Sequence, residues 1–269
     1  MSAPLRLLAS VAHPDDESLG VGGTLARYAR EGIETYLITA TRGQKGRYGL
    51  AEERPPEDVV ARTREAEVRA AAAILGVREV TLLDYVDGEL DRADPVEAAG
   101  AIAAVLRRVR PHVVLTFAPD GGYGHPDHIA ISQFTAAAVV RAAAPDGDAS
   151  GLPPHAVSKL YYMAWTQRKW APYEAAFKVL RSKVDGVERQ AVAWPEWQIT
   201  TEIDTEAVWE TVWAAVQCHR TQLPGYKNLA SISAEHHRNL WGSQEFYRVF
   251  SIVNGGRQRE RDLFEGLRS

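Results

Sequence analysis

Short apolar runs alternate with longer helix-like stretches through the first half of the chain, and this alternation restricts the fold more than any other feature. Leu5–Val11, Ile33–Thr39, Val80–Leu83 and Val113–Phe117 read as strands; Ser18–Arg30, Asp58–Leu75, Pro95–Arg110 and Ile129–Ala144 read as helices. Strands that are apolar along their length and joined by helices predict βαβ units and a parallel sheet covered on both faces. The expected class is α/β, with helices layered on both sides of a mostly parallel sheet.

The second half is less regular. Pro145–Asp146–Gly147–Asp148 stops the last of those helices and Ser150–Pro154 reads as a loop, so a soft boundary falls at residue 150. Residues 1–150 are expected as the core, and 151–269 as a smaller α+β extension that completes the sheet and the pocket, the two forming one continuous domain. Within the extension, Lys159–Trp165 and Glu245–Val253 read as strands, and Pro172–Val184 and Thr205–Arg220 as helices. Trp209 and Trp213 share one helix face, which favours core packing over a ligand platform. Arg42–Glu57, punctuated by Gly and Pro, reads as a long loop, either a lid or a surface excursion.

Composition removes whole classes of function. The net charge of −4 offers no basic footprint for nucleic acid, and no run approaches the roughly 18 apolar residues of a membrane span. Leu5–Ala12 resembles a short leader, but Arg6 interrupts it; a buried first strand of a cytoplasmic protein is the expected reading. The single cysteine, Cys218, cannot form an intramolecular disulfide or a multi-thiolate site, so any metal must sit on His and carboxylate groups. Gly20–Val21–Gly22–Gly23 lacks the order of a dinucleotide fingerprint.

Two polar clusters follow the first and fourth strands: Ala12–His13–Pro14–Asp15–Asp16–Glu17, and Gly121–Gly122–Tyr123–Gly124–His125–Pro126–Asp127–His128. Loops after the carboxyl ends of parallel strands face one edge of the sheet, so segments over a hundred residues apart converge there. Two histidines with one carboxylate form a catalytic zinc arrangement that leaves a fourth position for water. Of the adjacent Asp15 and Asp16, one can ligate while the other stays free as a base. His125 and His128 lie three apart at a helix start and can serve one site.

These paired motifs resemble the LmbE-like or PIG-L family of zinc-dependent N-acetylglucosamine deacetylases, over roughly residues 5–135. Thr41–Arg42–Gly43, Arg64–Glu65–Ala66–Glu67 and Leu83–Asp84–Tyr85–Val86–Asp87–Gly88 belong to the resemblance, and Gly121–His125 is similar to the branch acting on mycothiol-type thiol precursors and conjugates. The resemblance implies a Rossmann-like α/β/α core that carries the metal site. It implies His13, Asp16 and His128 as ligands of Zn2+, with Fe2+ as the alternative ion, and Asp15 as general base. It further implies His125 as a protonated partner of the oxyanion, Asp127 as the carboxylate that sets histidine protonation, and Tyr123 as a mobile tyrosine closing on substrate. Arg64 and Asp87 are its candidates for contacts to the sugar. Gln44 stands where some relatives have an acidic group, which leaves the sugar-binding loop open.

The expected chemistry is attack of a zinc-activated water on an N-acetyl carbonyl, with Asp15 as proton acceptor and His125 beside the oxyanion, giving acetate and a free amine. The amine's proton comes from Asp15 or His125. The expected partner is a small amino-sugar substrate, with no nucleic acid and no membrane, and self-association is left open. An amidase for a larger N-acyl group, such as a thiol-conjugate amide, is the alternative; a noncatalytic metal- or nucleotide-binding module is a more distant one. Cys218–His219–Arg220 reads as a helix end whose basic groups suit the dipole, with a catalytic part for His219 as the alternative. His236–His237 reads as surface.

Overall fold

The computed structural model describes residues 4–51, 53–145, 151–176, 181–184, 186–226, 228–256 and 258–268. The first half follows the alternation: β1 (Arg6–Val11), α1 (Asp16–Arg30), β2 (Glu34–Thr41), α2 (Glu57–Ile74), β3 (Val77–Tyr85), α3 (Pro95–Val109), β4 (Val113–Thr116), the single turn α4 (Gly121–Gly124) and α5 (Pro126–Ala143). Local chemistry sets the boundaries. Asp94 caps α3 by accepting from the N–H groups of Val96 and Glu97, with Pro95 in the first turn where its missing N–H costs nothing.

The remaining elements are β5 (Lys159–Ala164), α6 (Gln167–Ala176), β6 (Arg181–Val184), β7 (Val187–Gln190), β8 (Thr201–Asp204), α7 (Trp209–Val216), α8 (Ala234–Trp241) and β9 (Ser243–Ser251). One seven-stranded sheet has the order β3-β2-β1-β4-β5-β9-β8, parallel from β3 to β5 and antiparallel at β9 and β8. Leu7, Leu8, Leu37, Ile38, Val113 and Leu115 are buried in it, as a sheet covered on both faces requires. Strand order reverses between β1 and β4, and the loops that leave these two strands carry the polar clusters.

The C-terminal half corrects several expectations. The helix expected over Pro172–Val184 is divided: α6 ends at Ala176, and 181–184 pairs with 187–190 as an antiparallel hairpin. Asp185–Gly186, a strong short hairpin signal, lies between the two strands. The helix expected over Thr205–Arg220 shrinks to a 3-10 turn and α7, so His219 falls beyond it and turns inward. The polar edge strand β8 and the short α8 lacked the apolar period that would announce them. His237 is buried, stacked on Trp241 and against Trp213, while His236 is exposed; Trp209 and Trp213 pack in that same cluster. The boundary expected at residue 150 lies outside the described residues, and β5, β9 and β8 continue the sheet begun by the first half. Among the described residues no helix is long and apolar enough to cross a membrane.

Candidate metal centre and active site

The chain leaves β1 into Ala12–His13–Pro14 and enters α1 at Asp16, whose Oδ2 accepts from the N–H groups of Ala12 at 3.2 Å and His13 at 2.8 Å. The turn forces Asp15 to φ 113, a left-handed value that is strained for a residue with a side chain. From β4, three glycines with positive φ (Gly121, Gly122, Gly124) bring the chain around Tyr123 to His125, the N-cap of α5. A Cβ on Gly122 would lie 3.1 Å from Trp165, so this turn also needs the missing side chain.

Three donor atoms meet between these segments. His13 Nδ1 lies 3.2 Å from His128 Nε2 and 3.5 Å from Asp16 Oδ2, and His128 Nε2 lies 3.5 Å from Asp16 Oδ1. A tetrahedral ion bound at about 2.0–2.2 Å sets its ligand atoms roughly 3.3–3.6 Å apart, so the spacing fits such an ion. The outer nitrogens fix the tautomers. His13 Nε2 faces Asp127 Oδ2 at 3.0 Å and Asp87 Oδ1 at 3.2 Å, and His128 Nδ1 faces Gly121 O at 3.1 Å; all three partners accept. Protons therefore sit on the outer nitrogens and lone pairs point to the shared centre. Phe117 stacks on the His128 ring with centroids 3.9 Å apart, which holds its plane. A second set, His13, His125 and Asp127, is also close enough to hold an ion, but Asp127 there already accepts from Gly88 and Leu90 N–H.

Electrostatics follow from burial and from the carboxylates. Burial works against the charged form of His13, yet Asp127, Asp16 and Asp87 raise its pKa well above the usual value, so a cation binding there displaces a proton. Burial pushes the His128 imidazole down to about 3, which keeps it neutral. Burial raises the Asp15 carboxyl, against the pull of Arg64. Asp87 is held at about 2, its burial outweighed by His13.

The surroundings of His125 work against the protonated form expected for it. Burial and the neighbouring His13 push its pKa down, and its Nδ1 accepts from Asp127 N–H at 3.2 Å. A neutral ring accepting at Nδ1 carries its proton on Nε2 and is then an uncharged N–H donor.

The cavity at this edge measures about 290 Å³. His13, Asp15, Asp16, Tyr123, His125 and His128 line it, as do both expected sugar contacts, Arg64 and Asp87. These last two are also committed to the protein. Arg64 donates to Gly43 O at 2.9 Å and to Pro14 O, and Asp87 accepts from Lys45 N–H at 3.0 Å. Gln44 bonds to Tyr85 O, away from the cavity wall. The 42–57 loop is pinned at this edge: Gly49 N–H donates to Thr221 O, and Gln222 Nε2 to Arg47 O. Sequence reasoning missed Trp165, Trp170, Tyr173, Gln222 and Tyr226, the C-terminal share of the wall; the aromatic richness of the second half was the one signal available.

Residues 8–139 match the family model described as PIG-L, GlcNAc-PI de-N-acetylase. A 1D-myo-inositol 2-acetamido-2-deoxy-alpha-D-glucopyranoside deacetylase from Kineococcus radiotolerans is 35% identical, covering 99% of this chain and 84% of its own. The chain belongs to the PIG-L family. Among solved structures, this PIG-L chain is similar in fold to the N,N'-diacetylchitobiose deacetylase from Pyrococcus horikoshii, with TM-score 0.68 and 20% identity over 91% of this chain and 83% of that one. It is equally similar to the 4-carboxy-2-hydroxymuconate hydratase from Pseudomonas putida KT2440, with TM-score 0.69 and 23% identity over 94% and 99%. At these identities the likeness speaks for the fold alone, since one fold hosts unrelated chemistries.

Proposed function

We propose that the protein is a metal-dependent hydrolase that removes the N-acetyl group from an N-acetylglucosaminyl compound, with water giving acetate and a free amine. The observation that carries this reading is the His13–Asp16–His128 donor set, spaced for a tetrahedral ion, beside a second carboxylate, Asp15, that is not part of it. Zinc is the proposed ion; when bound it would polarise the carbonyl and acidify a water. The substrate proposed is an N-acetylglucosaminyl inositol of the kind for which the full-length relatives are named.

Each remaining step belongs to a residue of the chain. Asp15 takes a proton from the attacking water as the C–O bond forms. His125 donates its Nε2–H to the oxygen on which negative charge develops, at no cost in prior protonation. Asp15 then returns its proton to the amine nitrogen as the C–N bond breaks, because a neutral His125 has no surplus proton. Asp127 and Asp87 hold His13 in the required tautomer. Tyr123, with its ring edge-on to His125 and His128, closes this side over the substrate.

The test is amine release from N-acetylglucosamine, its inositol and chitobiose relatives and a bulky thiol-conjugate amide, before and after chelation and after return of zinc or ferrous ion. Chelator-sensitive release from an acetylated sugar is expected. Preference for the bulky amide transfers the assignment to an amidase, and no release from a metal-loaded protein overturns the proposal.

A further inference from the structure

Asp15 is held from a part of the chain that the family motifs do not reach. Tyr226 Oη donates to Asp15 Oδ2 at 2.7 Å across a separation of 211 residues, and Arg64 Nη2 lies 3.4 Å from that same oxygen. Among the described residues no hydrogen bond or ion pair engages Oδ1. The asymmetry matters because the terminal torsion of an Asp side chain is broad and nearly two-fold, so nothing intrinsic decides which oxygen faces the reaction.

The backbone beneath is braced from the same stretch of chain. Asp15 N–H donates to Glu17 Oε2 at 2.9 Å, and Glu17 Oε1 is bonded to His219 Nε2 at 2.7 Å. Two residues further on, Thr221 donates its N–H and hydroxyl to the Glu67 carboxylate, tying the segment to α2, which also carries Arg64. The C-terminal segment therefore supports the turn from below, while Tyr226 touches the carboxylate itself and lines the cavity.

We propose that Tyr226 is a positioning residue for this reaction: its hydroxyl, with the Arg64 guanidinium, occupies Asp15 Oδ2 and so presents Oδ1 as the oxygen that receives and returns the proton. The assignment rests on the reading of Asp15 as the base. An oxygen already accepting from a phenol and facing a guanidinium is the poorer proton acceptor, and the same two contacts stop the carboxylate from rotating. The segment 219–226 is then part of the catalytic apparatus, although it supplies neither a metal donor nor the base.

Tyr226→Phe removes the hydroxyl and keeps the ring. On the amide the wild type hydrolyses best, kcat is expected to fall roughly tenfold to a hundredfold, the scale of a misplaced reacting group. KM and bound zinc are expected to stay near wild type, as for an interaction used only in the transition state. Combined with Asp15→Asn, the substitution is expected to cost nothing further. A rise in KM at unchanged kcat, or an equal loss in the Asp15→Asn background, overturns the assignment. In crystals of the metal-free variant, the Asp15 carboxylate is expected to leave its wild-type orientation; an unmoved carboxylate overturns it too. A crystal of the wild-type protein in which Tyr226 Oη bonds neither Asp15 oxygen does the same without any variant. Should the wild type hydrolyse no acetamide, the functional reading fails by itself, and the carboxylate orientation still decides the part of Tyr226.

Discussion

His219 Nε2 lies 2.7 Å from Glu17 Oε1, with both side chains withdrawn from water, across a separation of 202 positions. Glu17 also holds Asp15 N–H, so the pair links the packing of the C-terminal segment to the strained turn that carries the base. Removing one partner of a buried pair leaves the other charge without compensation. His219→Leu is expected to cost about 3–5 kcal/mol of stability. Urea unfolding checks this, and an unchanged midpoint would show that the pair carries no such weight.

Asp15→Asn keeps the shape of the turn and removes the proton acceptor. Hydrolysis is expected to fall by about 10²–10⁴ while bound metal stays unchanged. Parallel assays of activity and metal content decide it: full activity removes Asp15 from the role of base, and loss of metal makes it a ligand.

Asp127 acts on His13 from the far side of the ring, at 3.0 Å from Nε2, and Gly88 and Leu90 N–H hold its oxygens in place. Asp127→Asn is expected to weaken metal binding by roughly 10- to 100-fold. Competition against a chromogenic chelator measures it, and wild-type affinity would mean that Asp87 alone orients the ring.

For His125, the proposed uncharged donor state makes a specific comparison available. His125→Ala is expected to lower kcat by about 10²–10³, as for loss of one donor to a developing oxyanion. His125→Gln, which carries a neutral N–H, is expected to recover part of that loss. If Gln is as slow as Ala, a positive charge at this position is required after all.

Part of the acid sensitivity should arise at Glu260, which does not line the cavity. Burial would raise the Glu260 carboxyl, but Asn254, Lys159, Thr201 and Tyr161 bond to it and hold its pKa at about 2, below the unfolded value of 4.5. A group whose pKa is depressed on folding stabilises above its unfolded pKa and loses that contribution as pH falls through the folded one. Unfolding midpoints are therefore expected to drop between pH 4.5 and about 2, and Glu260→Gln is expected to flatten that portion of the curve. A wild-type slope in the variant would assign the acid limb to other carboxylates.

Much of the fold and of the site is legible in the chain because the relevant patterns are local. The apolar runs at β1, β2 and β4 declare a sheet buried on both faces, and the His and Asp clusters sit in the turns that end two of those strands. Turns at parallel strand ends meet by topology, which gathers the two polar clusters at one edge; the choice of His13, Asp16 and His128 within them rested on the resemblance to the PIG-L family. The polar strand β8 and the buried His237 were not legible, since each depends on what covers it, whereas the hairpin of β6 and β7 was overridden by a helix-like reading of 172–184 despite its Asp-Gly turn signal.

By itself, then, the sequence determined the parallel sheet, the edge at which the polar clusters gather and the residue types available to hold an ion. Tertiary structure alone decided which carboxylate faces which nitrogen, that His125 Nδ1 accepts from Asp127 N–H, and that Tyr226 and His219 reach back to Asp15 and Glu17. The physical reason is range. Apolar period and turn chemistry act over a few residues and leave a repeating trace in the chain, whereas burial, tautomer and the partner of a carboxylate are set by groups more than a hundred positions away, whose approach no local pattern records.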